Sequence, residues 1–123
     1  MRRPSKVYDY DPHNLSQDFL IAIGLMTSCA AQTEGVIEWA IAGCIGVDTE
    51  YGGAVTTHMA MPLRFSVLRS VAQIKIDDLD ALDELDEILE SCEKAFEKRN
   101  AIVHHRWCRD PDNDAVFTGV ASY

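Results

Sequence analysis

Apolar residues recur every three or four positions between residues 82 and 103, and this spacing constrains the fold more than any other feature of the sequence. Steps of three and four place side chains on one face of an α-helix, because the helix repeats every 3.6 residues. The positions of this face are Leu82, Leu85, Leu89, Cys92, Phe96, Arg99 and Val103. We therefore predict a long amphipathic last helix, with Leu85, Leu89 and Phe96 buried and with Asp77 or Asp78 as its N-cap.

Three earlier segments also predict helices. The first is long, begins after an N-cap at Asn14 or Ser16 and ends at Gly46, with a bend or a break near Gly35 as an alternative that divides it into two helices. Residues 51–53, with two consecutive glycines, predict a loop. Pro62 predicts the first position of a third helix, because its missing N–H costs nothing there. The fold class that follows is all-α, an up-and-down bundle of about four helices.

The C-terminal end differs in pattern. Residues 106–108 and 116–118 flank a cluster of Asp, Pro and Asn at residues 110–114, which predicts a turn and a small β-hairpin. The chain of 123 residues is long enough for one core and too short for two. It divides into an irregular lead-in, a helical bundle and a turn-and-hairpin tail, at residues 1–13, 14–107 and 108–123.

The formal net charge of −9 is concentrated in one segment. Residues 77–97 hold ten acids and one base, which is typical of a solvated helix face. Residues 98–109 hold four bases, two histidines and no acid. The local field there suits a polyanion bound over a small site, and the absence of an extended basic patch excludes long tracking along nucleic acid.

The cysteines and the apolar run near the N-terminus bear on location. The four cysteines form no Cys-x-x-Cys pair, so we predict a reducing, cytoplasmic setting, no disulfide framework and no metal site. The uncharged run of residues 19–33 is too short to span a bilayer. We therefore expect a helix of the protein core and no membrane association.

Three polar residues stand where the helical pattern calls for core. Arg99 takes a position on the apolar face, and Asn100 and His104 lie one turn apart on the adjacent stripe. An unpaired buried guanidinium is very costly, so Arg99 must find a partner or reach water. One interpretation is a structural network, with Arg99 tied to acids of another helix and His104 favourable at a helix C-terminus. The other is an active site.

The string Arg99-Asn100-Ala101-Ile102-Val103-His104 resembles the Arg-polar-x-x-x-His signature of the HEPN superfamily, the nucleotide-binding domains of higher eukaryotes and prokaryotes. The resemblance implies a small all-helical domain, and for many members a metal-independent ribonuclease without a cofactor. It implies catalytic roles for Arg99, Asn100 and His104, and we predict that Lys98, His105 and Arg106 bind substrate.

The resemblance also implies partners. HEPN nucleases typically build a composite site at a homodimer interface, often as a toxin or defence component acting on RNA. An antitoxin or a nucleotidyltransferase is then the expected partner. In one toxin subgroup the nucleotidyltransferase modifies a tyrosine two residues after the histidine, but this chain has Arg106 there. The alternative function is a non-catalytic helical interaction or nucleotide-binding module that retains the fold.

Overall fold

The computed structural model describes residues 7–110 and the backbone of residues 116–118. The all-α class and four α-helices predicted from the sequence are confirmed in this part of the chain. The elements are a 3-10 turn at Pro12–Asn14, α1 at Gln17–Ile45, α2 at Thr49–Thr56, α3 at Met61–Lys75, α4 at Leu79–His104, β1 at Trp107–Arg109 and β2 at Val116–Thr118.

The chain forms two compact units. The core unit comprises residues 28–98, and the terminal unit comprises Met1–Thr27 together with Arg99–Tyr123. Helices α1 and α4 each contribute residues to both units. The boundaries after residues 13 and 107 that the sequence predicts stay a prediction.

The core unit is held together by apolar side chains from α1, α3 and α4. Its buried cluster consists of Ile37, Ile41, Phe65, Leu68, Leu89 and Phe96. The rings of Phe65 and Phe96 meet edge to face, with their centroids 5.7 Å apart, a favoured aromatic geometry. The predicted burial of Leu89 and Phe96 is confirmed. Leu85 is half-buried, because it lines an open cleft beside Arg69 and Asp86.

The prediction of a loop at residues 51–53 is wrong, since these residues lie inside α2. The Asp48 side chain caps this helix by accepting from the Tyr51 N–H at 2.9 Å. Gly52 is buried, and a Cβ added there would lie 2.5 Å from Cβ of Ala42. The glycine therefore serves the close packing of α2 on α1, and this tertiary contact outweighs its poor helix propensity.

Two predicted helix starts are confirmed and one is shifted. Ser16 caps α1, because its Oγ accepts from the Phe19 N–H at 3.2 Å. Asp78 caps α4 by accepting from the Asp80 N–H at 3.0 Å. Helix α3 begins at Met61, so Pro62 is one position later than predicted. Gly46 ends α1 with φ of 83°, a conformation that glycine adopts without strain.

The expectation that α1 is a core helix holds only for its C-terminal part. Its buried residues are Ile37, Ile41 and Ala42. Nearer the N-terminus, Ile21 is 56% exposed and Leu25 is 63% exposed. By length and composition alone α1 is apolar enough to cross a membrane, with an 18-residue stretch of mean hydropathy 1.4. Core helices and signal sequences meet the same criterion, so this finding assigns no location.

The terminal unit is built from short segments rather than from a large core. The predicted hairpin is confirmed, with its first strand at residues 107–109 instead of 106–108, and Cys108 pairs with Phe117 in an antiparallel register. Residues 111–114 of the predicted turn lie outside the described residues. On the other edge of β1, Asp9 and Arg109 exchange two backbone hydrogen bonds, of 3.0 and 2.7 Å. The lead-in predicted as irregular is thus hydrogen-bonded to β1 and contains a 3-10 turn.

Candidate functional site

Arg99 and Asn100, for which the resemblance to the HEPN superfamily implies catalytic roles, are joined near the end of α4. The Arg99 guanidinium is half-buried and donates from Nη1 to Oδ1 of Asn100 at 2.8 Å. Its Nε is buried and has no hydrogen-bond partner within the described residues. A buried donor without an acceptor costs about 1–3 kcal/mol, more for a charged group. Arg99 therefore has an unsatisfied N–H that an oxygen ligand would satisfy.

His104, the third predicted catalytic residue, is exposed and is the last residue of α4. Within residues 7–110 and 116–118 its side chain has no hydrogen-bond or ionic partner. The structure does not join it to Arg99 or Asn100. The physical reason is that residues five apart on a helix point about 140° apart around its axis. The imidazole is therefore open to solvent and to a ligand.

Of the three predicted substrate-binding residues, Lys98 lies within the last two turns of α4, and His105 and Arg106 follow the helix end. Lys98, His105 and Arg106 are all exposed. Arg106 lies over the ring of Tyr10, with its guanidinium carbon 4.6 Å from the ring centroid. This is a cation–π contact, which holds the planar guanidinium against the aromatic face. Arg106 is thus positioned by a residue of the lead-in.

Beside Arg106 lies a pocket that the sequence did not predict. We call it the Tyr10 pocket; it has a volume of about 280 Å³ and is lined by Tyr10, Pro12, Leu15, Arg106 and Trp107. The indole N–H of Trp107 donates to the carbonyl oxygen of Ile102 at 2.8 Å, which fixes the ring. Trp107 directly follows His104, His105 and Arg106 in the sequence, and this position was a signal that it belongs to the site. Tyr10 could not be identified, because it lies far from the motif in sequence.

Two aspartates shape the lead-in that carries Tyr10. Asp9 accepts from the Asp11 N–H at 2.9 Å and from Nδ2 of Asn14 at 2.8 Å. Asp11 accepts from the backbone N–H of His13 at 3.0 Å and lies 2.9 Å from its Nδ1. The hydrogen bond to the His13 side chain lowers the pKa of Asp11 below its ordinary value. These local bonds define the turn over Pro12–Asn14 and thereby the position of Tyr10.

A second polar cluster lies in the core unit. Arg69 donates from Nε to Oδ1 of Asp86 at 2.7 Å and pairs through Nη1 with Glu93. The hydrogen bond to Asp86 raises the pKa of the Arg69 guanidinium. Elsewhere in this unit Glu38 accepts from the Thr56 hydroxyl at 2.6 Å. These groups pair with one another within the core unit, and we assign the cluster to stability.

No family model matches this chain, and neither does any curated protein or solved structure. The resemblance to the HEPN superfamily therefore rests on the motif residues and their place at the end of the last long helix. Across residues 7–110 and 116–118, no group of three His, Cys, Asp or Glu side chains is arranged to hold a metal ion.

Proposed function

We propose that the protein is an HEPN-like endoribonuclease whose site is centred on Arg99, Asn100 and His104. The observation that supports this most is the state of Arg99, a half-buried guanidinium with one N–H unsatisfied and another bonded to Asn100. It stands in the segment 98–109, which holds four bases, two histidines and no acid. A phosphodiester supplies the oxygen acceptors that this arrangement lacks.

The residue types suggest the chemistry. A neutral imidazole, with an ordinary pKa of about 6.5, accepts a proton near neutral pH. His104 would take the proton of a ribose 2′-hydroxyl as its oxygen attacks the adjacent phosphorus. The bond from phosphorus to the 5′-oxygen breaks, and that oxygen takes up a proton from an imidazolium. Arg99 stabilises the charge that develops on the phosphate oxygens. The products are a 2′,3′-cyclic phosphate and a 5′-hydroxyl.

The geometry favours a homodimer in this proposal. Because Arg99 and His104 point about 140° apart, one helix does not direct both at one phosphate. A two-fold contact between two copies would bring Arg99 of one chain near His104 of the other in one cleft. Light scattering at micromolar concentration tests this, and a monomer there would contradict the shared cleft. An antitoxin or nucleotidyltransferase partner stays a prediction.

The decisive test is cleavage of mixed single-stranded RNA by purified protein at neutral pH. His104→Ala should abolish cleavage, since general acid–base catalysis contributes about 10²–10⁴-fold. Arg99→Ala should also abolish it by removing the guanidinium that stabilises the transition state. His58→Ala is the matched control, because His58 is exposed and lies outside the motif. Its activity should equal that of the parent.

Two further conditions separate this mechanism from others. Cleavage should persist in excess EDTA, because the proposed steps need no metal. DNA of the same sequence should stay intact, because it lacks the 2′-hydroxyl. Cleavage that His104→Ala leaves unchanged would point to another site or to a contaminating nuclease.

A non-catalytic interaction or nucleotide-binding module is the second candidate. One observation favours it: the His104 side chain has no partner that orients it within the described part of the chain. Parent protein that never cuts RNA, tested as a dimer and without an inhibitory partner, would favour the module. Circular dichroism of both variants excludes unfolding as a cause of lost activity.

A further inference from the structure

The Tyr10 pocket combines aromatic rings, apolar side chains and one cation. Tyr10 and Trp107 supply the rings, Pro12 and Leu15 supply apolar walls, and Arg106 supplies the charge. The volume of about 280 Å³ lies just below the range typical of pockets for drug-sized ligands. The pocket therefore fits a ligand with one flat ring system.

Its groups are held in place by contacts that leave the pocket open. The Trp107 ring is fixed by its hydrogen bond to Ile102 and by an edge contact from Phe19, with ring centroids 4.8 Å apart. Phe19 is not part of the pocket lining, so it does not fill the pocket side of the indole. Tyr10 is 40% exposed although Arg106 lies over its ring.

The charges around the pocket favour an anionic ligand. Arg106 is exposed, and the stretch 98–109 that contains it has no acid. Two carboxylates of the neighbouring lead-in, on Asp9 and Asp11, bond to donors of residues 11–14. They are thus engaged within their own segment, and Arg106 is the charged side chain that lines the pocket.

We propose that the Tyr10 pocket binds one unstacked base of single-stranded RNA, with the base against Trp107 and its phosphate near Arg106. Single-stranded RNA is commonly recognised by stacking of splayed bases on aromatic rings and arginine planes. The proposal rests on the proposed function, because it takes RNA as the ligand. It adds a subsite that positions the strand beside the end of α4, formed by residues outside the Arg-Asn-x-x-x-His motif.

The chain offers a direct optical test, because its two tryptophans are Trp39 and Trp107. Trp39 is 64% exposed and lies in the core unit, so Trp39→Phe leaves Trp107 as the sole indole fluorophore. This variant is titrated with adenosine 5′-monophosphate, with excitation at about 295 nm, where adenine does not absorb and tryptophan does. Ribose 5-phosphate is the matched probe that carries the phosphate without the base.

The nucleotide should quench Trp107 fluorescence in a saturable manner, and ribose 5-phosphate should not. In the same background, Tyr10→Ala and Arg106→Ala should each raise Kd by about 5- to 150-fold, as for loss of one stacked base at ~1–3 kcal/mol. Arg106→Lys keeps the charge without the planar fork, so its Kd should lie between those of the Trp39→Phe parent and of Arg106→Ala. The reciprocal variant Trp107→Phe reports on Trp39, whose fluorescence should not respond.

Three results would overturn the pocket assignment: equal quenching by ribose 5-phosphate, equal quenching of Trp39 in Trp107→Phe, or unchanged Kd in Arg106→Ala. Arg106 is exposed, so its variants report on binding rather than on folding. Binding of the monophosphate needs no cleavage. Saturable quenching of Trp107 without RNA cleavage would therefore refute the ribonuclease and support the pocket. Cleavage of RNA without any quenching would refute the pocket and support the ribonuclease.

Discussion

The core unit and the terminal unit are stabilised by different forces. The core unit buries six large apolar side chains from three helices in one cluster. The terminal unit relies on backbone bonds between Asp9 and Arg109, a two-stranded hairpin, and contacts between single rings. The proposed site lies in the terminal unit. Strong periodicity thus marks the region that stabilises the fold, and the chemistry lies where that periodicity ends.

Phe96→Ala should show the largest effect on stability. Phe96 is 7% exposed and its ring contacts Phe65. Truncating a large core aromatic costs about 3–5 kcal/mol, because apolar contacts are lost and a cavity stays behind. Chemical denaturation gives the free energy of unfolding. Ile88→Ala is the control on the same helix, since Ile88 is 53% exposed, and a loss as large as that of Phe96→Ala would refute the assigned core.

Gly52→Ala should cause the next largest loss of stability. Its new Cβ would lie 2.5 Å from Cβ of Ala42, a methyl group that cannot rotate away. We expect a loss of about 1–3 kcal/mol, as for other overpacked sites. Gly53→Ala is the matched control, because its Cβ would lie 3.5 Å from Oε1 of Glu38, an ordinary contact. It should be neutral or raise stability by up to about 1 kcal/mol. Equal behaviour of the two variants would contradict the packing of α2 on α1.

Asp78→Ala should lower the free energy of unfolding by about 1 kcal/mol, since it removes the side-chain acceptor at the start of α4. The neighbouring Asp77 is exposed and serves as control, with an expected change within about 0.5 kcal/mol. Thermal melting compares the two. A larger loss of stability in Asp77→Ala than in Asp78→Ala would identify Asp77 as the N-cap of α4.

Asp9→Ala should change the global free energy of unfolding least, and its effect should be confined to the lead-in. Its carboxylate holds Asn14 and the Asp11 N–H, and such bonds contribute about 0.5–1.5 kcal/mol each when buried and less when exposed. Amide hydrogen exchange should accelerate over residues 8–15 while the core unit keeps its protection. Val7→Ala, at a 79% exposed position, should leave exchange unchanged. Accelerated exchange in the core cluster would contradict the conclusion that the two units are stabilised by separate sets of contacts.

Much of the fold was predictable because it follows from local rules. The apolar face of α4, the caps at Ser16 and Asp78 and the stop at Gly46 depend on residues within one or two helical turns. Helix α2 was missed, because its two glycines predict a loop and only the contact with Ala42 explains Gly52. The prediction that the whole of α1 is a core helix failed for a related reason: its buried residues are Ile37, Ile41 and Ala42, and periodicity marks an apolar side chain without showing what covers it.

The same division applies to the candidate site. The sequence by itself determined the all-α class, the long last helix and the Arg-Asn-x-x-x-His string at its end, since each is a pattern of neighbouring residues. Only the tertiary structure decided that Arg99 bonds Asn100 and keeps Nε unsatisfied, and that Tyr10 meets Arg106 and Trp107. The physical reason is distance along the chain: contacts between remote segments depend on the packing of the whole unit, which no local pattern records.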